Sequence, residues 1–418
     1  MIINKIKKIL IAKSDYHYVF FDQIIVSGSS FLISILVLRF LGIESFGIFS
    51  ILWLLLLFFY SVQQAYIISP LLTNAPKQSL ENLNFFYGSA LIQQIIFMFI
   101  IFIISFCFLE FFGDYIKDYN IRQFSISFAL TLLFSQFYQF LRRVYFSKKL
   151  FVKVIISDIL VYSIIIFSII YLNFKNELYI NKIFWLFFIS FFFGTLFNLS
   201  VILSFSFNIK KLLNFFRENW HISKWLLFTS ILQWFSGNLW VINAGIILGP
   251  YILGIVRACQ NILNIANLIF QSFENIIPSN TSKKFMSGGK KLMNDFLHII
   301  TKQGILLTLC LAILIIIFAK PILYLFYGNE IASYSKILSF LSFLIPLHFL
   351  QYPVSYGLRT LGNTKPIFIS YLFTSIITIL ISIYIIDTFK IYGLIFGLYL
   401  SQIAITSYLY ISYKKYIY

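Results

Sequence analysis

Residues 248–278 read LGPYILGIVRACQNILNIANLIFQSFENIIP, and they decide what kind of chain this is. Their length and apolar content fit a helix that crosses a membrane. One side of that helix is wrong for lipid. Arg257, Gln260, Asn264, Asn267, Gln271 and Glu274 follow one another at spacings of 3, 4, 3, 4 and 3. At about 100° per residue this run, joined by Asn261 and Asn275, covers an arc of roughly 140°. The remaining circumference carries Ile255, Val256, Cys259, Ile262, Phe270 and Phe273. An unpaired polar group in hydrocarbon costs several kcal/mol, so the polar arc must face protein or water. Two readings stand: hydrogen bonding between packed helices, which is modest glue in a bilayer, or the wall of a hydrophilic cavity. A stripe running nearly the whole span, with a cation near one end and an anion near the other, favours the cavity.

The whole chain agrees with a membrane setting. Its 418 residues are 60% hydrophobic and 11% charged, with a mean hydropathy of +0.90, more apolar surface than a soluble domain can use. The 52 Phe and 27 Tyr suit lipid contact and interfacial belts. The net charge of +18 sits in short connections, which points to membrane orientation and away from nucleic acid. Cys107, Cys259 and Cys310 fall inside apolar runs with no metal or disulfide spacing, as small buried hydrophobes do. Histidines at 17, 221, 298 and 348 are too scattered for a metal centre or a hydrolytic triad. Gly288-Gly289-Lys290 lacks the spacing of a nucleotide-binding loop. No metal, no cofactor and no enzymatic activity are expected. The basic N-terminus reads as a retained amphipathic leader, since no small-residue cleavage site follows it.

Twelve apolar segments can be drawn, at about 18–40, 46–70, 85–112, 123–141, 154–172, 183–207, 224–248, 251–277, 296–319, 334–357, 366–388 and 391–413. Basic residues gather on alternate connections, including 5–13, 142–153, 210–224, 283–291 and 414–415. That is 22 against 8 on the opposite side, which predicts both termini in the cytoplasm. The two halves echo each other. Leu41-Gly42 with Gly47 matches Leu248-Gly249 with Gly254, and Pro70 and Pro278 follow at nearly equal distances. The expected fold is therefore all-α: twelve transmembrane helices in two parallel six-helix repeats around a central cavity. The repeats fall at 1–207 and 224–418, joined by a cytoplasmic linker at 208–223, with Gly42 and Gly249 allowing tight turns between paired helices.

On these residues the chain resembles the polysaccharide-transporter branch of the multidrug/oligosaccharidyl-lipid/polysaccharide (MOP) exporter superfamily, specifically the Wzx-type O-antigen flippases. The likeness is carried by Asp22-Gln23, by Leu38-Arg39-Phe40-Leu41-Gly42 with Phe46-Gly47-Ile48-Phe49, by Leu248-Gly249 with Gly254, by Pro278, and by the stretch from Leu358 to Lys365. It extends over the whole chain. It implies a bacterial inner-membrane flippase for lipopolysaccharide biosynthesis. Such a protein moves an undecaprenyl-pyrophosphate-linked oligosaccharide to the periplasmic face by alternating access. A proton or sodium ion is the implied coupling ion, and membrane lipids and other polysaccharide-assembly proteins are the implied company.

The expected substrate surface is Arg257, Gln260, Asn261, Asn264, Asn267 and Gln271. Amides match sugar hydroxyls and a guanidinium forks onto a pyrophosphate; Arg257 could instead snorkel to the interface, but its place on the stripe favours binding. Glu274, Asp22 and Asp158 are the candidates for coupling or gating. Against those roles stand a structural ion pair for Glu274 and a solvated cap or ion pair for Asp22 and Asp158. Lys302 and His298, one turn apart, suit a lipid headgroup or simple snorkelling. Two other functions compete. A drug/cation antiporter of the same fold would want a cavity of carboxylates and aromatics. A polysaccharide polymerase or ligase would want a large external loop, and the external connections here are short.

Overall fold

Inside hydrocarbon every backbone N–H and C=O needs a protein partner, and a helix supplies all of them within one apolar segment. The computed structural model describes residues 2–115 and 119–417; side chains are described except at 2–16, 77, 80–81, 115, 209–211, 222, 268–269, 271–272, 274–276 and 279. The regular structure among these residues is helical. Helix α1 (Ile2–Gln63) passes through a π-helical turn, Gln64–Ile68, into α2 (Ser69–Asn74). Then come α3 (Leu80–Phe112), α4 (Ser125–Ser147), α5 (Phe151–Phe174), α6 (Ile180–Asn198), α7 (Ile209–Leu263) and α8 (Ala266–Ile317). Short helices α9 (Ala319–Tyr327), α10 (Asn329–Ala332), α11 (Ser335–Ser342), α12 (Leu344–Phe349) and α13 (Gln351–Thr360) lead to α14 (Lys365–Ile417).

Nine helices among the described residues are long and apolar enough to cross a membrane. Four of them are bent, at Gly42 (φ 82°, ψ 174°), Gly249 (φ 85°, ψ 171°), Gly288-Gly289 (φ −157° and 63°) and Lys390 (φ 53°, ψ −131°). Gly42 and Gly249 take the same left-handed conformation, which a side chain would strain. Three apolar segments are less regular than their hydropathy suggests. The segment at 251–277 breaks at Asn264-Ile265, where Ile265 N bonds Ile262 O (3.2 Å) and Asn267 N bonds Asn264 O (3.0 Å), three residues back instead of four. Asparagine competes for local backbone groups in this way. The segment at 334–357 divides into α11, α12 and α13, with Pro346 and Pro353 unable to donate to the helical ladder. The segment at 183–207 ends as helix at Asn198 and continues as a 3₁₀ stretch, Leu199–Ser204.

The chain divides into two compact units, one of Met1–Gly42 with Leu52–Ser230, the other of Ile43–Ile51 with Ile231–Tyr418. In the first, α4 packs on α3 and α6, and α5 on α6. Gly194 of α6 makes this possible, because a Cβ there would stand 2.3 Å from Val161 and 2.9 Å from Tyr138. Thr131 Oγ1 donates to the Phe184 carbonyl at 2.7 Å across the same contact. The core around it is Phe128, Leu132, Phe184 and Phe187, all buried.

In the second unit α8 packs on α11, α12 and α13. The apolar arc of the opening stretch is used here. Phe270 stacks on Tyr352 (5.3 Å between ring centres), Phe273 meets Phe349 edge-on (4.9 Å), and His348 lies 5.4 Å from Phe270. Trp240 of α7 is fully buried and donates to Ser401 Oγ of α14 at 2.9 Å. The short stretch Ile43–Ile51 belongs to this unit through a reciprocal backbone contact. A Cβ on Gly47 would fall 1.8 Å from the Pro250 carbonyl oxygen, and one on Gly254 would fall 2.3 Å from the Ile43 carbonyl oxygen. Each glycine thus faces the residue four positions before the other, as a local two-fold relation would produce.

Candidate functional site

The last turns of α7 carry the first part of the polar stripe. Arg257 Nη1 donates to Gln260 Oε1 at 3.0 Å, while its Nε is buried without a hydrogen-bond partner. Asn261 and the buried Tyr327 hydroxyl of α9 stand beside it. Among the described residues no carboxylate pairs with Arg257, which leaves a partly buried guanidinium with unused donor capacity. Ala258, Cys259 and Ile262, on the other side of the helix, are closed off in the core. Beyond the break, Asn264 and Asn267 are exposed and bond to each other at 3.3 Å. The side chains of Gln271, Glu274 and Asn275 lie outside the described residues. The structure therefore brings Arg257 and Asn261 to Tyr327, with Gln260 on Arg257. The helical break turns the stripe from one straight face into two pieces.

A second cluster lies in the first unit and concerns Asp22 and Asp158. Arg142 of α4 joins them: its Nε donates to Asp158 Oδ2 at 2.8 Å, and its Nη2 donates to Asp22 Oδ2. The Tyr138 hydroxyl, one turn earlier on α4, donates to Asp158 Oδ1. The three charged residues are 3%, 4% and 0% exposed for Asp22, Arg142 and Asp158, so this is a desolvated ion triad and no solvated cap. Asp22 Oδ1 is the one oxygen of the two carboxylates left buried without a partner. Sequence reading places Arg142 in a basic connection with Arg143, Lys148, Lys149 and Lys153; the structure corrects that, because α4 runs on to Ser147 and carries Arg142 inward. The signal was available in Asp22 and Asp158 themselves, two carboxylates in apolar spans that need a counter-charge.

Sequence reading also passed over the amides of the first unit. Gln63 Nε2 donates to Gln94 Oε1 (2.9 Å) and to the Gln136 carbonyl (2.6 Å), beside the π-helical turn. π-Turns of this kind recur where helices adjust to function. At the end of α4, Lys148 sits over the rings of Tyr87 (5.1 Å) and Phe205 (5.3 Å) and donates to Ser204 Oγ at 2.6 Å. Burial there holds its ammonium below the ordinary lysine range. Glu110 pairs with Arg122 at 2.9 Å, and His348 lies 3.4 Å from Gln402 Oε1, so neither serves the stripe. Among the described residues no three side chains of the metal-ligating types come together.

Comparison with known proteins follows this geometry. The family model MatE matches residues 226–384, which include Arg257 and its neighbours. No curated protein matches the chain. Among solved structures, a multidrug resistance MATE family transporter of the MOP superfamily, in its inward-facing conformation, aligns with a TM-score of 0.73 at 15% identity, over 93% of each chain. The lipid II flippase MurJ, in an inward closed conformation, aligns with a TM-score of 0.69 at 17% identity, over 96% of this chain and 87% of its own. A MOP superfamily transporter from Pyrococcus furiosus, described as having a binding pocket of reverse polarity, aligns at 0.65 and 14% identity, over 96% and 94%. The chain has the all-helical, multi-pass membrane fold that these MOP-superfamily transporters share.

Proposed function

We propose that the chain is a flippase of this fold that carries an undecaprenyl-pyrophosphate-linked oligosaccharide across the bacterial inner membrane by alternating access. The observation that supports it is Arg257: a partly buried cation, without a carboxylate partner among the described residues and with Nε unused, flanked by amides and a phenol. A desolvated guanidinium favours an anionic, forked partner such as a pyrophosphate, and the neighbouring amides and hydroxyl match sugar hydroxyls. Asn264, Asn267 and Gln271 extend the glycan surface in this proposal. Glu274 is the opposing charge that lets the load go. No covalent step is involved; transport follows from different affinity in the two facing states. The basic-residue asymmetry orients both termini to the cytoplasm.

A second reading is a MATE-type drug/cation antiporter, and one observation favours it: the unpartnered Asp22 Oδ1 beside Asp158 offers a place for a coupling proton or sodium ion. Arg142 weighs against it by already supplying the cation between the two carboxylates. The test compares surface glycan in cells expressing Arg257→Ala, Arg257→Lys or wild type at equal protein levels. Hydrogen bonds to charged groups are worth about 1.5–3 kcal/mol, so Arg257→Ala should lower display roughly 10–100-fold, with part retained by Lys. Unchanged display in Arg257→Ala removes Arg257 from the mechanism. Normal display in a strain lacking the protein, together with new drug sensitivity, selects the antiporter.

A further inference from the structure

A groove of about 310 Å³ opens on the second unit between α8, the region where α12 meets α13, and α14. Its floor is apolar, formed by Leu297, Leu350, Pro353 and Val354. Gly357 lets two of its walls close on α13, because a Cβ there would stand 2.4 Å from the Tyr413 ring and 3.0 Å from Leu297. The groove is tied at one end, where the Tyr413 hydroxyl donates to Asn294 Oδ1 (3.3 Å) and Lys290 Nζ donates to the Tyr416 carbonyl (2.6 Å).

The tied end is basic, and the basic face of α8 continues along the flank of the groove. On α8, Lys291, Asn294, His298 and Lys302 follow at spacings of 3, 4 and 4, so they share one face, and the lysines and His298 are exposed. On α14, Lys414 sits over the Tyr410 ring at 4.9 Å, with Lys415 next to it. Asp295 lies on this face as well, about 20° from Lys302 and about 60° from His298, and the rim stays net positive through Lys290, Lys291, Lys302, Lys414 and Lys415. His298 and Tyr410 line the polar edge, each with a hydrogen to donate, while the Thr301 hydroxyl between them donates to the Leu297 carbonyl (2.7 Å).

We infer that this groove holds one acyl chain of an anionic glycerophospholipid, its phosphate held by His298 and Lys302. A trough of leucine, proline and valine takes a chain in preference to water. A cationic flank beside that trough takes a phosphate, and basic pockets between transmembrane helices do bind anionic headgroups in this manner. A zwitterionic lipid offers the same chain but cancels its own charge at the rim. The inference is independent of what the chain transports.

The experiment uses the full chain in nanodiscs of equal phosphatidylglycerol and phosphatidylcholine, followed by native mass spectrometry of the lipids retained on release. The wild type should keep one phosphatidylglycerol at several-fold excess over phosphatidylcholine. Val354→Trp fills the trough and should lower that retention about tenfold, while Val354→Ala keeps it. The double change His298→Gln with Lys302→Gln should bring the two lipids to equal retention, and this arm decides the matter if Val354→Trp does not fold. Equal retention by the wild type, or unchanged phosphatidylglycerol in the double variant, overturns the assignment. So does a polyprenyl phosphate retained in preference to phosphatidylglycerol when both are supplied.

Discussion

Arg142→Ala is expected to be the most damaging single change in the first unit. It leaves Asp22 and Asp158 facing each other, 3% and 0% exposed, with no cation between them. Removing one partner of a buried ion pair costs about 3–5 kcal/mol, because the survivor stays desolvated and unpaired. Here there are two survivors, so the upper end applies. The melting temperature of the purified protein, followed by size-exclusion after heating, should drop by roughly 5–15 °C, if the variant accumulates at all. Asp22→Asn should be much milder, since Asp22 receives one bond from Arg142 and its Oδ1 receives none. The triple change Arg142→Met, Asp22→Asn, Asp158→Asn should recover part of the loss, because it removes all three charges together and leaves no buried ion unpaired. A stable Arg142→Ala would mean that the triad is not the desolvated cluster described.

Gly47→Ala should be the most damaging change in the second unit. Its new methyl would sit 1.8 Å from the Pro250 carbonyl oxygen, against backbone that has no rotamer to change. Overpacking costs about 1–3 kcal/mol even where side chains can yield, and this contact lies at or above that range. Gly254→Ala, at 2.3 Å from the Ile43 carbonyl oxygen, follows at a smaller cost. The two should not add: once one methyl has pushed the segments apart, the second meets less resistance, so the double variant should melt close to Gly47→Ala alone. Gly28→Ala is the control, with nothing within 4 Å of its Cβ, and should be neutral or stabilise by about 0.4–1 kcal/mol. Equal melting of Gly28→Ala and Gly47→Ala would refute the close approach.

What could be read from the residues and what could not divide along a physical line. Hydropathy and the 3.6-residue period are local, and they locate the apolar segments and the face of α8 that Phe270 and Phe273 press on α12 and α13. Gly42 and Gly249 were legible because a left-handed bend selects glycine. The triad was not, because Asp22 and Arg142 are 120 positions apart and nothing local shows which carboxylate an arginine will find. Its cost was hidden in the same way: Arg142 looked like one more basic residue of a connection until α4 was seen to continue past it. The polar stripe was half legible. Arg257, Gln260 and Asn261 do gather on one side, but periodicity assumes an unbroken helix, and the asparagines that made the stripe visible also break it at Asn264.

The contact between Gly47 and Pro250 also has a place in time. The stretch Ile43–Ile51 leaves the ribosome early, but the backbone it packs against is made about 200 residues later, a wait of roughly 10–40 s at about 5–20 residues per second. For that interval Gly47 and Ile43 can meet only lipid, the insertion machinery or the wrong segment. The left-handed bend at Gly42 needs no distant partner, so it can hold the hairpin in shape while the rest is synthesised. A strain that slows elongation between codons 51 and 250 would lengthen the exposure, and nascent chains stalled there are the ones that quality-control proteases should find.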